Sequence, residues 1–491
     1  MATTTHRELP RLGPRPSRVS KPTLVLAGAV VLAEGLLAGA LVLPRLAPLL
    51  LLAAGALVGT AILRRPTLGV VGGAVLTVSI LPAALVAVPL GPLEVRGHEL
   101  LIAGLFATAI VAPRDHRWGG APAGLLAAFL GMLALSSLLA LSAGRTSAGE
   151  AWAWARLLAP LALVLALPRL LPDRRSMVGM LDAGVVIAAL TGVVALVFLL
   201  APAVSEVIPG STDLVDSGAV YGAGVERVRL PGLALAYLLF WYAVVRLVGA
   251  PPGRRALWIA GLAAMVANLA ISLNRNMWLG LVVGLGVLLM MAGAGLRGRV
   301  VAGLVVTVVA AAVLLVGLAE EPAVRGPLQG VVERGDTLLD PASLLREDSL
   351  RDRANETDRA WRAVARSPLW GIGPGVQFGV FFNAPNPDGS YGRTPQYFLH
   401  NQYLYLLLIT GVPGLALFMG FLVTTGRLAW SNRGDPLVAA LGTAVVMTAV
   451  SAVVMIAFAS PAYAYVLALV TGAIVVLARG RAAGDQVVTS P

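Results

Sequence analysis

The chain has 491 residues, 58% of them apolar and 13% charged, and a formal net charge of +12. Its mean hydropathy of +0.84 excludes a soluble fold, which would leave much of that apolar surface in water. The absence of cysteine excludes disulfides, thiolate metal sites and cysteine nucleophiles, and in so apolar a chain the positive charge reports membrane orientation rather than nucleic-acid binding.

Residues 1–22, rich in Pro and Arg, read as a disordered basic tail. Runs long enough to cross roughly 30 Å of hydrocarbon follow near residues 23–43, 46–63, 68–90, 99–112, 121–143, 153–171, 177–202, 230–249, 256–273, 277–296, 300–318, 399–425, 437–459 and 462–478. The fold class is therefore an all-α polytopic membrane protein with about 12–14 transmembrane helices, grouped as 23–318 and 399–478 around one long loop at 319–398, with a tail at 479–491. The first apolar run follows a basic stretch, as a signal peptide would, but its length and the spans after it favour an uncleaved anchor.

With the N-terminus in the cytoplasm, one side collects Arg64, Arg65, Arg114, Arg117, Arg174, Arg175, Arg254, Arg255, Arg297, Arg299, Arg427, Arg433, Arg479 and Arg481. The short loops of the other side are nearly free of Lys and Arg. This alternation places both termini in the cytoplasm of a multi-pass plasma-membrane protein, and the long loop outside it.

Glu34 and Asp182 fall within spans, where carboxylates are expensive; each is expected to pair with a neighbouring helix and neither is assigned to the site. Trp152 and Trp154 read as part of an interfacial aromatic belt. Arg156 lies beside them on the side of the long loop and is a candidate phosphate ligand. Further on, "SLNRNMWLGL" sets Arg275 at the outer end of a span.

The long loop is not a basic patch: between Glu320 and Leu399 nine arginines face eleven Asp and Glu, so an anion would have to be met by placed arginines. Asp340 as N-cap, Pro341 at the first position and Pro368 beyond the end predict a helix over 341–366. Its apolar stripe is Leu350, Ala354, Thr357, Trp361 and Val364; on the helical wheel Arg346 and Arg353 flank that stripe, whereas Arg359, Arg362 and Arg366 point to water. "SPLWGIGPG" then resembles a phosphate loop only in its glycines, since no strand precedes it and no Lys-Ser/Thr follows. It reads as a tight turn returning the chain to the membrane surface, followed by an irregular Asn/Pro/Gly stretch.

"FLHNQYLYLLLITGVPG" starts the next span with His400 and Asn401, in a chain that holds four histidines. The order His400-Asn401, nine residues, Gly411, two residues, Gly414, with Arg353-x-x-Glu356 and "SPLWGIGPG" upstream, resembles the signature of the O-antigen ligase and polymerase superfamily. "SLNRNMWLGL" is similar to that family's arginine-bearing segment, with Asn274 and Asn276 in place of its usual Ser and Gly. The resemblance implies a GT-C-like glycosyltransferase with its site on the extracytoplasmic face. It implies His400, Arg353 and Arg275 as catalytic residues converging at the outer membrane boundary. The helical wheel and the glutamate three residues on favour Arg353 over Arg359 for the loop position. Asn401, Arg346, Glu356 and Arg156 are the candidate substrate-binding residues.

These residue types suit the chemistry that the resemblance implies. A polyprenyl-diphosphate-linked glycan leaves behind a highly charged diphosphate, and arginine offers a permanently charged, planar fork to its oxygens. A histidine exchanges protons near neutral pH and can deprotonate an attacking hydroxyl. The implied partners are the lipid-linked donor, a glycan, glycolipid or protein acceptor, and the bilayer. No metal, cofactor or nucleic acid is implied, since no Asp-x-Asp or His-x-x-x-His cluster is present. A polysaccharide polymerase fits the same motifs. A lipid-linked oligosaccharide flippase or transporter is the competing class, but such proteins favour repeats and polar groups at the midplane, and here the polar groups gather at one face.

Overall fold

A computed structural model of the chain describes residues 65–77, 87–90, 93–111, 119–200, 215–216, 227–228, 232–317, 348–385, 391–455 and 457–488, with a few positions between 325 and 335. All of these belong to a unit spanning Ile62–Pro491. The basic tail, the first two expected spans, Glu34, Arg346 and the start of the expected loop helix lie outside the described residues.

Helix α1 (Pro66–Thr77) is followed by the antiparallel pair β1 (Ala87–Leu90) and β2 (Leu93–Arg96), which leads into α2 (Gly97–Val111). Residues 87–90, expected at the end of a span over 68–90, form a strand instead, and residues 78–86 lie outside the described residues. Pro89 denies a helix an N–H donor and suits an edge strand. Next come α3 (Gly120–Ser142), α4 (Ala148–Ala155), a 3₁₀ turn over Arg156–Ala162 that contains Pro160, and α5 (Leu163–Leu170). The bundle continues through α6 (Arg174–Leu200), a two-residue pair β3 (Val215–Asp216) and β4 (Arg227–Val228), α7 (Leu233–Gly249), α8 (Pro252–Ile271), α9 (Arg275–Met291) and α10 (Ala294–Gly317). The loop contributes α11 (Asp348–Arg366) and the hairpin β5 (Gly379–Pro385) and β6 (Tyr391–Gln396). Helices α12 (Gln402–Ser431), α13 (Pro436–Ser451) and α14 (Pro461–Val488) complete it.

The protein is an all-α polytopic membrane protein: among the described residues seven helices are long and apolar enough to cross a bilayer, and five shorter apolar helices stand beside them. Helix α7 is apolar on every side and buried along nearly its whole length, as a central helix must be, whereas α10 turns Val305, Val308, Val309 and Val313 outward. Glycine lets α9 approach this centre. A Cβ on Gly280 would stand 1.9 Å from the Tyr237 hydroxyl, and one on Gly284 would stand 2.3 Å from Trp241 Nε1, the small-residue contact that membrane helices use to close ranks. Tyr237 in turn shares a 2.5 Å hydrogen bond with Ser451 at the end of α13. The start of α9 and the end of α13 are therefore held together.

Asp182 has the partners expected of it. Arg246 donates to both its oxygens at 2.9 and 2.6 Å, and the Tyr242 hydroxyl donates at 2.8 Å. At the far end of α12 and α13 from His400, Arg174 pairs with Asp435, whose side chain also caps α13.

Candidate active site

The local architecture begins with a broken helix. Gly411 lies inside α12 with φ of 69° and ψ of −174°, a backbone state that glycine adopts without a Cβ clash, and Pro413 follows with no N–H. The break frees the Leu408 carbonyl and the Val412 N–H about 14 Å from the start of the span. The segment after α11 takes both: Ile372 N–H donates to Leu408 at 2.8 Å, and Val412 N–H donates to Pro368 at 2.9 Å. A Cβ on Gly411 would sit 2.2 Å from the Leu369 carbonyl oxygen, and Cβ atoms on Gly371, Gly373 and Gly375, all at positive φ, would strike Ile409, Ala140 and Glu150. The buried Ser136 of α3 lies within hydrogen-bond reach of the Trp370 and Ile409 carbonyls. "SPLWGIGPG" is therefore a turn-rich wedge inserted between α3 and α12, its irregular backbone satisfied by protein groups.

The wedge fixes α11 above the start of α12, and α11 brings Glu356 to His400. Glu356 Oε2 lies 3.0 Å and Oε1 3.2 Å from His400 Nδ1, and the His400 backbone N–H donates to Oε2 at 3.3 Å. The carboxylate side chain is 5% exposed and the imidazole 39% exposed. An ionised carboxylate can only accept, so this geometry suits the tautomer with the proton on Nδ1, which leaves Nε2 as the acceptor nitrogen of the half-exposed ring. Phe398 meets the imidazole edge-on, with ring centroids 6.1 Å apart.

Arg353 lies one turn before Glu356 and is half-exposed, with its guanidinium donating to the Val454 carbonyl at 3.4 Å. The Asn276 side chain donates to the same carbonyl, also at 3.4 Å. The loop after α13 thus links the loop arginine to the segment Asn274–Asn276. That segment follows a sharp turn in which buried Leu273 is held at φ 50°, a strained state for a leucine. Arg275 opens α9 there, half-exposed, where the helix dipole adds positive potential to its own charge. Gln402, fully buried, secures the loop from below. Its N–H donates to Ala452, and its Oε1 accepts from the Phe458 and Ala459 N–H groups.

Residues 260–419, from the middle of α8 into α12, match the family model described as O-antigen ligase. That match places the segment in the O-antigen ligase family. No curated protein matches the chain. The O-antigen ligase segment contains Arg275, Arg353, Glu356, His400 and Asn401 together with both ends of the wedge contact, and it supports a ligase/polymerase-type transferase function in a multi-pass membrane protein.

Within this O-antigen ligase framework, several expected contributors take other positions. Asn401, a candidate substrate ligand, caps α12 by accepting from Leu404 N–H at 3.0 Å. Arg156, the candidate phosphate ligand, is buried with its Nε 3.7 Å from Glu99 Oε1. Arg359 does not point to water: it donates to Val380 and to Gln396 Oε1, bracing the hairpin. Arg362 pairs with Asp358 on the exposed face. The expected apolar stripe is rotated, with Trp361 54% exposed while Glu356, Ala360, Ala363 and Val364 are buried. Small side chains and one hydrogen-bonded carboxylate let α11 pack closely, so Trp361 is left outside. The stretch expected to be irregular holds β5 and β6. Gln402 and Ser136 carried no signal in the sequence beyond a polar side chain in an apolar run.

Proposed function

We propose that this protein is a membrane glycosyltransferase that moves a glycan from a polyprenyl-diphosphate carrier to an acceptor hydroxyl, in the manner of an O-antigen ligase. The observation that carries the reading is the buried Glu356 carboxylate on Nδ1 of a half-exposed His400, one helical turn from Arg353. His400 Nε2 takes the proton of the acceptor hydroxyl as its oxygen attacks the anomeric carbon. Glu356 fixes the tautomer and stabilises the imidazolium that forms. The bond from the anomeric carbon to the diphosphate breaks, and the electron pair leaves with the diphosphate oxygen. Arg353 and Arg275 stabilise that charge. Attack opposite the leaving group inverts the anomeric centre. His400 supplies the base, so the step needs no metal.

The test is transfer by purified protein in lipid from a polyprenyl-diphosphate donor. The expected outcome is activity that survives EDTA and collapses in His400→Ala and Arg353→Ala. Donor movement across the bilayer without a new glycosidic bond would replace the reading with a flippase. Orientation is tested separately: the chain has no cysteine, so single cysteines at exposed Gln377 and Arg433 report their own side. An impermeant maleimide labels the first in intact cells and the second only after permeabilisation if the His400 end faces outward.

A further inference from the structure

Beside His400 stand three aromatic rings that the transfer step does not use. Trp154 of α4 stacks on Tyr397, with centroids 5.6 Å apart and planes at 30°, and on Phe398, at 5.8 Å and 25°. Phe398 then meets His400 edge-on. All three rings are half-exposed. They are also preset. Thr146, just before α4, donates to the Gly375 carbonyl of the wedge at 2.9 Å, and Ser147 caps α4. Tyr397 and Phe398 follow fully buried Gln396, whose side chain donates to the Phe398 carbonyl and accepts from Arg359.

An interfacial belt needs aromatic rings at headgroup depth but does not require them to stack on one another against an imidazole. A flat, rigid ring surface of this kind suits a ligand with an apolar face and a polar rim. A pyranose fits: its axial C–H bonds are the positive partner for the negative face of an aromatic ring, while its hydroxyls stay in water. We propose that Trp154 and Tyr397 form a sugar-binding platform that holds a pyranose ring of a glycan substrate next to His400. The site takes the ring itself, whether it belongs to the donor or to the acceptor. This inference rests on the glycosyltransferase reading above.

The experiment measures transfer by the full-length protein in lipid, varying donor at saturating acceptor and then acceptor at saturating donor. Trp154→Leu keeps apolar bulk and removes the ring. The expected result is a rise of about five- to ten-fold in KM for one substrate, with kcat changed less than that, and recovery in Trp154→Phe. The substrate whose KM moves is the one whose sugar stacks. Unchanged KM for both substrates in Trp154→Leu and in Tyr397→Leu overturns the platform. Should the leucine variants fail to accumulate, glycan titration of wild type and Trp154→Phe decides: quenching of tryptophan fluorescence confined to wild type supports the platform, and equal quenching in both overturns it. His400→Ala separates the two readings. A dead His400→Ala with wild-type KM in Trp154→Leu removes the platform alone, whereas full transfer by His400→Ala removes the base assignment.

Discussion

Two carboxylates, Asp182 and Glu356, each meet a basic partner on another element, yet they are built for different ends. Asp182 is closed: two donors of Arg246 and the Tyr242 hydroxyl occupy both oxygens, and Arg246 is further covered by the Trp258 ring at 5.5 Å. Glu356 is more deeply buried, but its partner is an imidazole that has a second nitrogen and a side chain 39% exposed. The first pair, about one third exposed, has both carboxylate oxygens taken. In the proposed mechanism the second pair acts through the imidazole on substrate. A guanidinium consumes a carboxylate, while a histidine passes its influence on.

Four substitutions test that contrast, from the largest effect to the smallest. His400→Ala removes that imidazole and is expected to lower kcat about 10²–10⁴-fold, with normal membrane insertion, as read by single-turnover transfer. Arg353→Ala removes one positive donor from the leaving group and is expected to cost about 10²–10³-fold; Arg362→Ala, which breaks only the exposed pair with Asp358, serves as its control and stays near wild type. Glu356→Gln keeps an acceptor for Nδ1 but loses the charge, and is expected to reduce kcat about 10-fold or more while donor KM is held. Asp182→Asn leaves turnover per folded molecule unchanged and lowers stability by about 1–2 kcal/mol, measured by thermal unfolding in detergent. Were Asp182→Asn to abolish transfer while leaving stability intact, the division between the two pairs would fail.

The all-α, multi-span class could be read because hydrocarbon imposes a long apolar run on any helix that crosses it. His400 stood out because a polar group at the mouth of such a helix has to be accounted for, and Arg353 and Arg275 stood out through the family resemblance of their segments. What stayed hidden depends on contacts distant in the chain. Glu356 stood as a substrate-binding candidate through Arg353-x-x-Glu356, but its pairing with His400, 44 residues away, was not legible. Trp361 was placed on the packing face because a wheel weighs apolarity, whereas the close approach of α11 selects small residues, Ala360 and Ala363. The pairing of Arg156 with Glu99 was not visible because Glu99 belongs to a separate helix. Gly411 and Gly414 were visible as a spacing, and the reason for the first became clear only with the wedge that fills the break.

That wedge also sets an order for biogenesis. The Leu408 carbonyl and the Val412 N–H enter the bilayer as groups their own helix does not satisfy, and each would cost several kcal/mol in lipid if left alone. Their partners, Ile372 and Pro368, are translated more than thirty residues earlier. The ribosome therefore delivers the partners of both groups before the groups that need them.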